Sequence, residues 1–176
     1  MNLPNKLTTM RMILVPVFIV LYLMEYNIAA VVVFIAASFT DFLDGHLARK
    51  NNLVTDYGKI MDPLADKLLV TSALVCMVQT QVVPAWMVIV ILAREFAITG
   101  LRAVAASDGK VIAAAWSGKV KTVTQMIAVI FLLLGNWPFS LIGFPFARVM
   151  LWIAVIMTIY SGCEYIWKNR EIFSDM

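Results

Sequence analysis

Charged side chains are scarce in this sequence. Asp, Glu, Lys and Arg together make up 14% of its 176 residues, whereas 62% of the residues are hydrophobic and the mean hydropathy is +0.87. A soluble domain is usually about half apolar and about one quarter charged. Because the long apolar runs exceed what one soluble core could cover, the composition predicts a chain whose main solvent is the lipid bilayer.

Histidine and cysteine are also rare. His46 is the single histidine, and the two cysteines, Cys76 and Cys163, lie far apart within apolar runs. The cysteines therefore support neither a disulfide nor a metal site, and we expect both to be buried small hydrophobic residues. The net charge of +3 is modest, and we expect no nucleic-acid partner.

Six hydrophobic segments follow one another, at about residues 11–25, 29–49, 59–80, 84–106, 118–135 and 147–168. Runs of this kind predict an all-α, polytopic membrane protein with six transmembrane helices, forming a single domain over residues 1–176. The first run lacks a small-residue cleavage site and is expected to be retained. Residues 2–9 are short and polar, and they predict a short N-terminal interfacial helix, with a disordered terminus as the alternative.

The connections between these segments alternate between neutral and basic. Those near residues 25–27, 79–83 and 136–145 contain no Lys or Arg. The other connections and the two termini carry Lys6, Arg11, Arg49, Lys50, Lys59, Arg102, Lys110, Lys119, Lys121, Lys168 and Arg170. Since Lys and Arg are enriched in cytoplasmic connections, the sequence predicts that both termini are cytoplasmic.

Six charged residues lie inside segments that otherwise read as membrane helices. They are Asp41, Asp44, Asp62, Asp66, Arg94 and Glu95. An ionised carboxylate at the centre of a membrane helix costs at least about 2.5 kcal/mol on insertion scales. These residues are therefore candidates for function.

The four aspartates form two pairs on neighbouring helices. Asp41 and Asp44 are spaced i, i+3 and Asp62 and Asp66 are spaced i, i+4, so each pair occupies one helical face. At 1.5 Å per residue, both pairs lie about 6 to 12 Å from the cytoplasmic ends of their helices. Facing carboxylates repel unless a cation neutralises them, and oxygen ligands favour Mg²⁺ or Mn²⁺ over Zn²⁺. The spacing predicts a site for one or two divalent ions, suited to a diphosphate substrate.

Small residues and one cation lie between the aspartates. Gly45, Ala48 and Gly58 leave room for a headgroup or nucleotide against the backbone. The guanidinium of Arg49 can donate two hydrogen bonds to one phosphate group. Taken singly, the small residues are also explained by helix packing and Arg49 by anchoring of the helix end.

Residues 41–49 and 58–66 together resemble the signature of the CDP-alcohol phosphatidyltransferases, D-x-x-D-G-x-x-A-R-x8-G-x3-D-x3-D. Every fixed position is filled at the required spacing, by Asp41, Asp44, Gly45, Ala48, Arg49, Gly58, Asp62 and Asp66. The resemblance implies a homodimeric enzyme of the bacterial cytoplasmic membrane, with its active site at the cytoplasmic side. Such an enzyme transfers a phosphatidyl group from a CDP-activated lipid to a small alcohol and releases CMP.

The resemblance also implies roles for single residues. Asp41, Asp44, Asp62 and Asp66 would hold two divalent ions, Mg²⁺ or Mn²⁺, that bind the CDP diphosphate. Asp66 would in addition be the catalytic base that accepts the proton of the attacking hydroxyl. The residues that would bind the CDP-lipid are Asn5, Thr8, Gly45, Ala48, Arg49, Thr55 and Gly58.

Other stretches are similar to the branch of the family that forms phosphatidylglycerophosphate from CDP-diacylglycerol and glycerol 3-phosphate. They are residues 3–11, 62–67, 94–102 and 118–122. The cations expected to form a pocket for the acceptor phosphate beside the metal site are Arg94, Arg102, Lys119 and Lys121. The structural alternative is that Arg94 pairs with Glu95 or Glu164, while the lysines only follow the charge rule for cytoplasmic connections.

Two other functions remain open on the sequence. A member of the same family could use another acceptor, such as inositol phosphate, serine or phosphatidylglycerol. A divalent-cation transporter also places carboxylates inside membrane helices. A transport path would need polar residues in the outer half of the membrane, whereas all four aspartates are predicted to lie in the inner half.

Overall fold

The computed structural model describes the backbone of residues 3–51, 56–107 and 115–170. The side chains of residues 3–7, 41–51, 56–60, 62, 63, 66 and 107 lie outside that description. Within the described ranges the chain forms α-helices and one 3₁₀ helix and no strand, which confirms the all-α prediction there. The helices are α1 (Leu3–Leu23), α2 (Asn27–Asn51), α3 (Asp56–Gln79), α4 (Ala85–Ser107), α5 (Trp116–Leu133) and α6 (Phe146–Lys168), with the 3₁₀ helix Phe139–Ile142 between α5 and α6.

The N-terminal prediction needs correction. Residues from Leu3 onward are helical, but they form the first turns of α1 and not a separate interfacial helix. Pro4 lies in the first turn, where its missing N–H costs no helical hydrogen bond. No helix breaker separates this turn from the apolar run, so one helix continues to Leu23.

The chain divides into two compact units, Met1–Val82 and Val83–Met176. In the first unit α1 packs against both α2 and α3, and α2 also contacts α3. Phe18 of α1 and Phe34 of α2 are fully buried, with ring centroids 5.7 Å apart. The Tyr22 hydroxyl lies 2.9 Å from the Thr80 hydroxyl just beyond α3. These contacts fix α1 against the two helices that carry the aspartates.

In the second unit α6 packs against both α4 and α5. Its buried residues are mostly small or branched: Ala147, Leu151, Ala154, Val155, Thr158, Ser161, Gly162 and Tyr165. Small residues allow helix backbones to approach closely in a membrane protein. The buried hydroxyls of Thr158 and Ser161 find their hydrogen-bond acceptors within α6. Thr158 donates to the Ala154 carbonyl oxygen at 2.6 Å, and Ser161 donates to the Thr158 carbonyl oxygen at 3.2 Å.

One helix of the described residues, Phe146–Lys168, is long and apolar enough by length and composition to cross a membrane, and a single such helix is weak support for spanning. Helix α4 is continuous from Ala85 to Ser107, but it carries three charged residues, Arg94, Glu95 and Arg102. Six membrane spans therefore stay a prediction. Of the cysteines, Cys76 is buried as predicted, whereas Cys163 is exposed on α6, where the prediction of burial was wrong.

Candidate active site

The backbone places the aspartate positions at similar distances from the connection between α2 and α3. Asp41 is ten residues before Asn51, the last residue of α2, and Asp66 is ten residues after Asp56, the first residue of α3. At 1.5 Å per residue each lies about 15 Å along its helix from that connection. Asp44 is about 10 Å along by the same measure. Because α2 and α3 also contact each other, the register agrees with a shared site.

The side chains of the four aspartates lie outside the described residues, so their ligation of metal stays a prediction. Among the described side chains there is no group of three or more metal-ligating residues. Of the predicted CDP-lipid contacts, the side chains of Asn5, Ala48 and Arg49 are likewise outside the description, as are Gly45 and Gly58, and Thr55 lies in the undescribed connection. Thr8 is described and is fully buried in α1.

A buried arginine accompanies Thr8 on α1. Arg11 is spaced i, i+3 from Thr8 and is also fully buried. The sequence indicated it as a basic residue before the first membrane segment and as the last position of the family-like stretch 3–11, without predicting its burial. Charged residues are almost never fully buried unless paired, and α1 packs directly on the two helices that carry the aspartates. Arg11 thus belongs to the interior of the first unit.

In the second unit two of the four predicted acceptor cations converge. Arg94 of α4 donates through Nη1 to Glu95 Oε1 at 2.9 Å, and Lys121 of α5 donates to the same carboxylate oxygen. The Lys121 side chain is only 3% exposed, and that of Arg94 is 15% exposed. Two cations share one carboxylate, so this triad of Arg94, Glu95 and Lys121 keeps a net positive charge. The structural alternative in which Arg94 pairs with Glu95 is therefore observed.

Two glycines make room for Arg94. A Cβ atom on Gly118 of α5 would lie 3.3 Å from Arg94 Nη2, and a Cβ atom on Gly162 of α6 would lie 3.3 Å from Arg94 Cγ. Distances this short leave little space for any larger residue at either position. The arginine side chain therefore lies in a slot between α5 and α6, with its guanidinium beside the first turn of α5.

The other two predicted cations lie apart from the triad. Arg102 is eight residues after Arg94 on α4, about 12 Å along the helix at 1.5 Å per residue. Its Nε donates to the Tyr165 hydroxyl at 3.2 Å, and its guanidinium carbon lies 5.5 Å from the centre of the Tyr165 ring. Lys119 is exposed. It is two residues from Lys121, and an i, i+2 spacing places two side chains on different sides of a helix.

A second polar pair lies on the buried side of α5 and α6. Ser117 is buried in the first turn of α5, next to Glu164 of α6. Glu164 accepts a hydrogen bond from Lys168, one turn later, through Oε1. Sequence reasoning named Glu164 only as a possible partner of Arg94 and did not single out Ser117. The signal that could have found Glu164 is a lone carboxylate within the last apolar segment.

Comparison with known proteins bears directly on these sites. The sequence profile of a family described as CDP-alcohol phosphatidyltransferase matches residues 1–160. The chain belongs to the CDP-alcohol phosphatidyltransferase family. The family match covers positions in both compact units, including the complete aspartate motif and the triad.

Relatives within the CDP-alcohol phosphatidyltransferase family are similar over nearly the whole chain. A protein of Bacillus subtilis (strain 168) named CDP-diacylglycerol--glycerol-3-phosphate 3-phosphatidyltransferase is 51% identical, covering 97% of this chain and 96% of the relative. A Rickettsia felis protein of the same name is 38% identical, covering 98% and 97%. A Mycobacterium tuberculosis protein named probable phosphatidylglycerophosphate synthase is 36% identical, covering 94% and 80%.

Proposed function

We propose that this chain transfers the phosphatidyl group of CDP-diacylglycerol to sn-glycerol 3-phosphate, giving phosphatidylglycerophosphate and CMP, in the synthesis of phosphatidylglycerol and cardiolipin. The observation that carries the proposal is the 51% identity to a relative of that name over almost the full length of both chains. The complete aspartate motif agrees with the reaction type, and the triad agrees with an anionic acceptor.

The chemistry of the aspartate positions fits divalent metal ions. Asp41, Asp44, Asp62 and Asp66 offer only carboxylate oxygens, the ligands that Mg²⁺ and Mn²⁺ prefer, from two helices that contact each other. These four residues would hold two ions. Bound ions would supply charge neutralisation for the diphosphate and for departing CMP.

The chain's own residues carry the proposed displacement. Asp66 accepts the proton of the primary hydroxyl of glycerol 3-phosphate, and that oxygen forms a new bond to the phosphorus that bears the diacylglycerol. The bond from this phosphorus to the oxygen of the CMP phosphate breaks, and CMP leaves with the electron pair. Gly45 and Arg49 contact the CDP-lipid in this scheme, with Asn5, Thr8, Ala48, Thr55 and Gly58 as further contacts.

The acceptor phosphate is assigned to the cations of the second unit. Arg94 and Lys121 are held together on Glu95 with a net positive charge, which suits a phosphate. The guanidinium of Arg94 also lies beside the first turn of α5, and a helix N-terminus favours anions. Arg102 and Lys119 would act further out, as attracting charges at the entrance to the pocket.

Exposed apolar faces support a membrane location with six spans. On α6 the exposed residues Val149, Trp152, Ile156 and Ile159 recur at helical spacing. On α1 and α2 the corresponding residues are Ile13, Val17, Val20, Ile28, Val32, Ile35 and Phe39. Apolar faces of this extent suit contact with lipid better than contact with water. We infer a multi-pass protein of the bacterial cytoplasmic membrane, with both termini and the active site cytoplasmic, that acts as a homodimer.

The decisive experiment incubates the purified protein with CDP-diacylglycerol, Mg²⁺ and one acceptor at a time, and measures CMP release. We expect release with glycerol 3-phosphate and none with inositol phosphate, serine or phosphatidylglycerol. Release with a different acceptor alone would overturn the acceptor assignment. A protein that releases no CMP with any of these acceptors but conducts Mg²⁺ across liposomes would be a transporter.

A further inference from the structure

Glu95 of α4 links the two other members of the triad. Its Oε1 atom accepts a hydrogen bond from Arg94 Nη1 at 2.9 Å and another from Lys121 Nζ of α5. One carboxylate oxygen thus joins two cations that lie on different helices. The two donor nitrogens can be no further apart than these two hydrogen bonds laid end to end, a separation that the oxygens of one phosphate group can bridge.

The pairing of Arg94 with Glu95 directs both side chains toward α5. Ion pairs along a helix usually join residues spaced i, i+3 or i, i+4, because adjacent residues do not face each other. Arg94 and Glu95 are adjacent, and they meet beside Lys121 of α5. The contact therefore holds the arginine side chain on one side of its helix.

Glu95 also determines how the guanidinium of Arg94 is turned. Nη1 donates to Glu95, while Nη2 lies beside the first turn of α5, where a Cβ atom on Gly118 would be 3.3 Å away. A long side chain loses conformational freedom when a ligand orders it, and this loss weakens binding. A guanidinium that is already held in place loses less freedom when an anion binds.

The buried position of Lys121 needs a carboxylate beside it. The Lys121 side chain is 3% exposed, and those of Arg94 and Glu95 are 15% and 20% exposed. Charged groups are almost never so deeply buried unless they are paired. Without the carboxylate of Glu95, the two cations would repel each other. We therefore expect Lys121 to stay beside Arg94 only while Glu95 is present.

We propose that Glu95 is a positioning residue for the acceptor, which holds Arg94 and Lys121 where both act on one phosphate group and does not itself contact the acceptor. This inference rests on the proposed function and deepens it, because the proposed function assigns the phosphate to the two cations. A carboxylate repels a phosphate, so charge alone would favour a pocket without Glu95. Placement of the two cations explains its presence.

Steady-state kinetics of the purified enzyme, measured as CMP release, test this role in Glu95→Gln. The variant keeps the size of the side chain and raises the net charge of the triad by one. If charge alone attracted the phosphate, the KM for glycerol 3-phosphate would fall. We expect this KM to rise by about 10-fold, the range for loss of one charge-assisted hydrogen bond. The kcat and the KM for CDP-diacylglycerol should change by less than about threefold.

Two further variants separate placement from charge. Glu95→Asp keeps the charge but withdraws the carboxylate by one methylene group, and it should raise the acceptor KM by about threefold or more. The double variant Glu95→Gln with Lys121→Met retains only the charge of Arg94, which equals the net charge of the intact triad. Its acceptor KM should be at least as high as that of either single variant, whereas a pure charge effect would restore the wild-type value.

Glu164→Gln is the matched control. Glu164 is another carboxylate of the second unit, and its side chain is 22% exposed, close to the 20% of Glu95. It forms an ion pair with Lys168, outside the triad. Its replacement should leave the acceptor KM within about threefold of wild type, because a partly exposed ion pair contributes little.

The outcomes separate this inference from the proposed function. An unchanged or lower acceptor KM in both Glu95→Gln and Glu95→Asp would overturn the positioning role, while CMP release by the wild type would keep the proposed function. A merely structural role would lower kcat or raise both KM values alike, which would also overturn the inference. No CMP release from the wild type with glycerol 3-phosphate would contradict the proposed function itself. If Glu95→Gln does not fold, Glu95→Asp decides, since it retains the charge.

Discussion

At the scale of single residues, Asp66 has the most demanding proposed role, because it combines metal ligation with proton transfer. Asp66→Asn keeps the size of the side chain but removes its basicity. General-base help is typically worth about 10²- to 10⁴-fold, so CMP release should fall by at least this factor while CDP-diacylglycerol binding is partly retained. Turnover is measured as CMP release, and binding is measured by equilibrium titration with CDP-diacylglycerol.

Asp56→Asn is the matched control for this variant. Asp56 begins the same helix but lies outside the motif, and its replacement should leave turnover within about twofold of wild type because it removes no carboxylate of the motif. An active Asp66→Asn enzyme would refute the assignment of Asp66 as the base.

The two lysines of α5 allow a second test at this scale. Lys121 is buried and forms an ion pair with Glu95, whereas Lys119 is exposed. Lys121→Met removes one positive charge from the triad and leaves Arg94 and Glu95 to neutralise each other. The KM for glycerol 3-phosphate should rise by about 10-fold or more, the range expected for loss of one charge-assisted hydrogen bond. The KM for CDP-diacylglycerol should change little.

Lys119→Met should alter both KM values by less than about threefold, since an exposed charge acts weakly through solvent. Steady-state kinetics with each substrate varied in turn measures all four values. A larger acceptor KM for Lys119→Met than for Lys121→Met would show that the buried lysine serves the fold and the exposed one binds the acceptor.

The pairing of the charged residues could be predicted from the sequence only in part. The sequence identified Arg94 and Glu95 as unusual, because a charge within an apolar segment is visible in the sequence. It indicated Lys121 only as a basic residue of the predicted cytoplasmic side and as a candidate acceptor cation. Which cation meets which carboxylate depends on the rotation of α4 against α6 and of α5 against α6, and no spacing rule states it. Burial of Ser117 depends on the same rotations, and full burial of Arg11 depends on the packing of α1 against α2 and α3.

At the scale of helices, sequence and structure agree closely. The predicted segments at about 29–49 and 147–168 correspond to α2 at Asn27–Asn51 and α6 at Phe146–Lys168. Agreement follows because each apolar run ends at a polar or Pro-containing connection that interrupts the helical pattern. The N-terminus was less predictable, because helix formation in residues 3–9 depends on continuity with α1 more than on the hydrophobicity of those residues.

Close packing around Arg94 predicts an order of effects for three glycine substitutions. In Gly162→Ala the new methyl group meets Arg94 Cγ at 3.3 Å within a packed interface, and overpacking of this kind costs about 1–3 kcal/mol. In Gly118→Ala it meets Nη2, the far end of a flexible side chain. The guanidinium can move aside there, so we expect little loss of stability but a raised KM for the acceptor.

Gly100→Ala is the control for this series. It lies on α4 with no atom within 4 Å of the added Cβ, and alanine favours a helix over glycine by about 1 kcal/mol. Thermal unfolding in detergent should therefore rank Gly100→Ala as the most stable of the three and Gly162→Ala as the least. Equal stability of all three variants would mean that Arg94 does not occupy the slot between α5 and α6.

At the scale of the whole molecule, the proposed function requires the acceptor site to face the cytoplasm, where soluble glycerol 3-phosphate would be encountered. Helix α6 has 23 residues, about 34 Å at 1.5 Å per residue, which matches a hydrocarbon core of about 30 Å. Leu141 precedes this helix and is 77% exposed, and Arg170 follows it. The two positions should lie on opposite sides of the membrane.

Cysteine labelling in intact cells tests this orientation. Leu141→Cys and Arg170→Cys are made in a background without Cys76 and Cys163, and each is treated with a membrane-impermeant maleimide. We expect Leu141→Cys to react in intact cells and Arg170→Cys to react only after permeabilisation, because the basic residues Lys168 and Arg170 predict that this end of α6 is cytoplasmic. Val82→Cys, in the short connection before α4, should behave like Leu141→Cys. The reverse pattern would place the proposed acceptor site outside the cell, away from its substrate, and would exclude the proposed function in its present form.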